Sequence, residues 1–222
     1  MEIAELKATK TIESTHPAVV HFTGRHTGGV TDEVERAVRL FYAVRDGVRY
    51  DPYQIDLTIS GMKASTTLEI ERGWCVSKAV LLAACCRSLG TPARLGFADV
   101  RNHLSTARLR ERMRTDIFYW HGYTEMLLDG KWVKATPAFN IELCEKFGLL
   151  PLEFDGREDS LYHPFDSAGH RHMEYVNQRG AYSDLPLEEI IQTFRREYSF
   201  GDRRPEPDAP SFDEDVERET SR

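Results

Sequence analysis

The chain has 222 residues, and its 29 Lys and Arg against 36 Asp and Glu leave a formal charge of −7. That length holds one full domain with a sizeable core, and the acidic balance gives no electrostatic reason to expect nucleic acid as a partner. The N-terminal MEIAELKATKTIEST is charged from its second residue, and the longest uncharged apolar run, Ala79 to Cys86, is far too short to span a bilayer. No membrane partner and a cytoplasmic setting are therefore expected, with Cys75, Cys85, Cys86 and Cys144 reduced and lacking metal-type spacing.

In chain order, Gly24, Gly28 and Gly29 suggest loop in the first thirty residues, with one strand around Ala18 to Phe22. From Thr31 as N-cap, Val34, Val38, Phe41 and Tyr42 recur at helical spacing and predict an amphipathic helix. A second helix is expected from Ser65 to Ile70. The stretch RGWCVSKAVLLAACCRSLGTPARLGF, Arg72 to Phe97, then predicts a helix over Cys75 to Leu89, stopped by Gly90 and Pro92 and apolar on nearly every side, hence central. Cys75 falls in its first turn. Unpartnered N–H groups and the positive end of the helix dipole favour a thiolate there, with a pKa lowered from about 8.5 toward roughly 3.5 to 7.5 when a cation lies nearby.

Strands follow at Ala93 to Val100, Ile117 to Leu128 and Lys131 to Thr136, making an α+β order with an antiparallel sheet behind the helices. Asp129-Gly130 between two alternating segments is a two-residue hairpin signal. It sets a register in which Leu128 faces Lys131, Leu127 faces Trp132, Glu125 faces Lys134 with opposite charge, Tyr123 faces Thr136 and His121 faces Ala138. His121 is the histidine inside strong strand character, suited to act as base for a cysteine nucleophile. Thr136 and Asn140 are its diagonal neighbours on that face, and either is a candidate to orient the ring.

The Arg-rich run Arg101 to Arg114 reads as a solvated helical face, or as a lid or a site for an acidic substrate group. Beyond Asn140, residues 155–171 are turn-rich, His170 to Val176 reads as a strand, and Pro186 to Tyr198 as a helix with Leu187, Ile190, Ile191, Phe194 and Tyr198 on one side. The expected organisation is a single domain over residues 1–200, with core motifs at 31–140, an extension at 141–200 and a disordered acidic tail at 201–222.

With those residues in place, the chain resembles the transglutaminase-like superfamily, papain-like cysteine enzymes that include transglutaminases, peptide N-glycanases and many bacterial candidate cysteine proteases. The matching pieces occur in the family's order: VERAVRLFYAVRDGVRYD, then ASTTLEIERGWC with VSKAVLLAACCRSLGTPARLGF, then FYWHGYTEMLLDGKWVKATP. The resemblance implies a papain-like core with the nucleophile helix packed on an antiparallel sheet, Cys75 as nucleophile and His121 as base. It implies a thioester intermediate, no cofactor or metal, and a peptide, protein or small amide as substrate. The family's Asp before the last proline is Thr136 here. Thr has no charge to offer an imidazolium, although its hydroxyl accepts a hydrogen bond, whereas Asn140 echoes the Cys/His/Asn sets of papain-like proteases. Two rival readings are a degenerate binding module, motivated by Thr136, and a metal-dependent hydrolase built on His163, Asp166, His170 and His172.

Overall fold

The computed structural model describes residues 3–102, 105–161, 173–198 and 210–220. In chain order these form helices α1 (Pro17–Thr27) and α2 (Glu33–Gly47), the short strand β1 (Arg49–Tyr50), α3 (Ala64–Ile70), β2 (Arg72–Gly73) and α4 (Cys75–Ser88). Then come β3 (Ala93–Asn102), α5 (Ala107–Met113), β4 (Ile117–Leu128), β5 (Lys131–Ala135), α6 (Ile141–Phe147), β6 (Met173–Tyr182), α7 (Leu187–Glu197) and α8 (Phe212–Thr220). Strands β5-β4-β3-β6 make one antiparallel sheet, and β1 pairs with β2 in parallel. This is the α+β class that the order of elements predicts.

Helix α4 is the centre of the fold. Every residue from Cys75 to Arg87 is buried, as expected for a helix apolar on all sides, with the sheet against one side and α1, α2 and α3 against the others. Its two cations have structural partners. The Lys78 ammonium donates to the Arg45 and Val48 carbonyls at 2.8 and 2.5 Å, closing the end of α2. The Arg87 guanidinium donates to the carbonyls of Ala93 and Ser183. Gly90 stops the helix in the left-handed region, φ +82°.

Four expectations need correction. Residues 17–27 are helical where a strand was expected at Ala18 to Phe22, because Pro17 sits at the first helical position and the His16 ring caps the Ala18 N–H. Asp32, not Thr31, caps α2, through Glu35 N–H at 2.7 Å. The hairpin register holds from Leu128/Lys131 to Thr124/Ala135, but β5 ends there. The Thr136 N–H turns outward to the Ser160 carbonyl at 2.8 Å, so the Tyr123/Thr136 and His121/Ala138 pairs do not form. Finally, residues 212–220 are not a disordered tail: α8 buries Phe212 and Val216 against the domain. Its i, i+4 apolar pair escapes a composition dominated by charge.

Candidate active site

Cys75 is the first residue of α4, and the strand carrying His121 crosses directly over it. A Cβ built on Gly122 would stand 3.0 Å from the Val76 Cα, so only glycine permits β4 to lie this close to the helix start. The Gly122 N–H consequently acts on the Cys75 sulfur together with the Val76 and Cys75 N–H groups. No Trp74 side chain caps α4; the Ser77 hydroxyl accepts the Trp74 N–H and donates to the Trp74 carbonyl. Gly73 has the same kind of necessity: a Cβ there would meet the Ser77 Oγ at 2.5 Å.

The expectation of a lowered thiol pKa is overturned. Burial pushes the Cys75 thiol up to about 12, and the three N–H groups offset only part of it. With 4% of its surface exposed, the sulfur loses more from leaving water than it gains from the helix start. Two buried tyrosines interact with it electrostatically. The Tyr50 phenol is raised well above its ordinary range by burial first and the neighbouring Cys75 second, and Tyr198 is raised by burial with Cys75 among its neighbours.

His121 is buried, 6% exposed, and pairs with Ala98 across β3–β4. Just before it the strand is bulged: the register shifts between Ala98 and Val100, and Trp120 adopts φ +59°, a left-handed conformation disfavoured for a bulky residue. The buried Asp99 carboxylate holds that bulge. It accepts the Trp120 N–H at 3.1 Å and is neutralised by Arg179 Nε at 2.5 Å, with Asn177 Nδ2 at 3.3 Å. Arg179 also lies over the Trp120 ring, whose Nε1–H donates to Thr193. Sequence reasoning missed Asp99, because nothing local marks a strand carboxylate as the partner of a backbone N–H twenty-one residues on.

Thr136 and His121 line the same pocket of about 380 Å³, with Phe139, Leu149, Leu152 and Met173 among its walls. The Thr136 hydroxyl is buried there without a hydrogen-bond partner, so it does not bond the ring in this arrangement. Asn140 is committed elsewhere: its Oδ1 accepts the Tyr50 N–H at 3.0 Å and its Nδ2 donates to Glu142 at 2.7 Å, tying β1 to the start of α6. The structure thus brings Thr136 beside His121 and turns Asn140 toward β1. Glu125 faces Lys134 in register but pairs with Arg94 on β3 at 2.6 Å. His163, Asp166, His170 and His172 lie outside the described residues, and among the described residues no cluster of three metal-ligating side chains occurs. Nor is any described helix long and apolar enough to cross a membrane.

The model of the transglutaminase-like superfamily matches residues 20–137. No curated protein matches the chain. Among solved structures, a candidate cysteine protease from Cytophaga hutchinsonii is similar at a TM-score of 0.47 and 15% identity, covering 80% of this chain and 53% of that one. A candidate protease from Parabacteroides distasonis is similar at 0.40 and 18%, covering 59% and 25%. The chain therefore spans about half the length of the first and a quarter of the second.

Proposed function

Since the chain belongs to the transglutaminase-like superfamily, we propose that it is a cysteine-dependent amide hydrolase or acyl transferase, with Cys75 as nucleophile and His121 as general base. The observation that carries this reading is the close approach of β4 to the start of the central helix, where a Cβ on Gly122 would stand 3.0 Å from the Val76 Cα, which sets the residue after the histidine against the residue after Cys75. In the proposed reaction the imidazole takes the thiol proton and the thiolate attacks an amide carbonyl. N–H groups at the helix start stabilise the oxyanion. The imidazolium then protonates the departing amine as the C–N bond breaks, leaving a thioester on Cys75. Water attacking the thioester releases an acid and restores the thiol; an amine releases a new amide.

Cys75→Ala should abolish turnover of peptide amides and leave the fold intact, because Ala at a helix start is well tolerated. Intact mass spectrometry after mixing with an activated acyl ester should show one acyl adduct on the parent and none on the variant. Retained turnover in Cys75→Ala would put the chemistry elsewhere. Dansylcadaverine in the same mixture separates the two fates, appearing in the product only if an amine is the acceptor.

A second reading, a non-catalytic binding module, is favoured by Thr136 at the family's acid position and by the raised pKa of the buried thiol. It predicts no acyl adduct under any condition that exposes Cys75. The same mass measurement decides between them.

A further inference from the structure

Phe139 lines the pocket that holds His121 and also a second pocket, one wall of which belongs to the last helix, α8. The Tyr50 ring packs edge-on against Phe139 at 4.7 Å. Phe212, the first residue of α8, stands against the Tyr50 ring at 5.7 Å, against Tyr53 at 5.6 Å and against Phe147 at 6.0 Å. It forms part of the wall of a pocket of about 250 Å³ whose other walls include Tyr50, Leu109, Phe118 and Phe139. One aromatic side chain therefore lies between α6 and the segment after β1, beside the pocket that Leu109 of α5 also lines.

The rim of this groove is basic and the helix seated in it is acidic. Lys146 on α6 pairs with Asp213 at 2.9 Å and Glu217 at 3.2 Å. Asp215, 4% exposed, accepts the Tyr53 hydroxyl at 2.9 Å and lies 3.6 Å from Arg108 of α5. Glu219 accepts the Ala107 N–H at 2.9 Å, and Arg108 donates to the Pro210 carbonyl at 2.8 Å. The Arg-rich run that reads from sequence as a site for an acidic group has such a group, supplied by the chain itself. Aromatic pocket and cationic rim together select one ligand chemistry: an acidic peptide segment bearing an aromatic residue.

We propose that α8 is a displaceable intramolecular plug in a peptide groove that leads to Cys75, and that the groove's ligand class is an acidic peptide with an aromatic anchor. The anchor is seated by apolar burial, and the ion pairs orient it from the rim. The identification of the groove as a substrate site rests on the acyl-transfer reading; the shielding of Cys75 by α8 does not.

The test uses the full-length chain and measures iodoacetamide labelling of Cys75 by peptide mass spectrometry. Cys85 and Cys86, buried deep in α4, serve in the same sample as reporters of global unfolding. Phe212→Asp should raise Cys75 labelling at least tenfold with Cys85 and Cys86 unchanged. Asp213→Lys with Glu217→Lys, changes at a partly exposed and an exposed position outside the core, should raise it about threefold, and adding Lys146→Glu should bring it back toward the parent. A synthetic peptide of residues 210–222 should slow labelling of Phe212→Asp, while a scrambled peptide should not. Cys75 labelling within twofold of the parent in both α8 variants overturns the proposal, as does a rise shared by Cys85 and Cys86 in both. Equal protection by both peptides overturns the ligand class. Because labelling needs no catalysis, a negative result leaves the Cys75→Ala experiment untouched.

Discussion

The floor of the candidate site and its cover are held by different forces. On the floor, β4 lies on the start of α4 through glycine-to-backbone contact, buried apolar packing and the bulge braced by Asp99. Its Asp99 carboxylate is buried and paired with Arg179, whose side chain is 19% exposed. The cover combines a buried face, Phe212, Asp215 and Val216, with ion pairs of Lys146 whose partners are partly open to water: Lys146 and Asp213 are 28% and 26% exposed and Glu217 is 66% exposed. Close packing of the first kind is nearly indifferent to salt and fails when volume is added. Exposed pairs contribute about 0–1 kcal/mol each and weaken under screening. A site built this way keeps its reacting groups in register while access to them is adjusted by much weaker interactions.

The largest expected effect attacks the floor. Gly122→Val adds a branched side chain where a Cβ already meets Val76 at 3.0 Å, so β4 must lift from α4. A loss of about 2–3 kcal/mol of stability is expected from overpacking of this kind, read from urea midpoints, together with at least a tenfold loss of any acyl-adduct formation. Unchanged stability would mean that β4 and α4 do not rely on this contact.

A smaller effect sharpens the same side of the comparison through pH. Burial pushes the Lys78 amine from its ordinary 10.5 down to about 7. Between those two values the unfolded chain binds the proton that the folded chain releases, so this group makes stability rise with pH from about 7 toward 10.5, and its full penalty is present below about 7. Lys78→Met removes the titration but also the two carbonyl contacts that close α2. The stability difference between parent and variant should therefore move in the parent's favour by on the order of 2 kcal/mol between pH 6 and pH 9, measured as denaturant midpoints at both. A difference independent of pH would show that the ammonium stays charged, held by the carbonyls at the end of α2.

The smallest effect belongs to the cover. Raising sodium chloride from 0.05 to 1 M shortens the screening length from roughly 14 to 3 Å and should increase Cys75 labelling about two- to threefold, while the urea midpoint changes little. Labelling indifferent to salt would leave the buried face of α8, Phe212, Asp215 and Val216, as its anchor.

Much of the core was legible from residues alone, for local reasons. Helix α4 follows from an unbroken run of helix formers ended by Gly90, and the β4–β5 register from Asp129-Gly130; each depends on contacts a few residues apart. The candidate pair Cys75 and His121 could be named because a helix-start cysteine and a strand histidine carry their chemistry in residue type and position. Residues 17–27 were misread because Pro17 and His16 start a helix that the apolar run Ala18 to Phe22 does not announce by periodicity.

Only the tertiary structure decided the electrostatics of the site. The helix start favours a thiolate, but the folded chain leaves Cys75 only 4% exposed, and desolvation reverses the sign of the expected shift. The same holds for Asn140, whose amide is taken by Tyr50 and Glu142, and for the Arg-rich run, which meets the chain's own acidic helix. The physical reason is common to all three. Backbone propensity and side-chain chemistry act within a turn or a hairpin and are written in short stretches, whereas burial and charge pairing depend on which distant segments are folded against them.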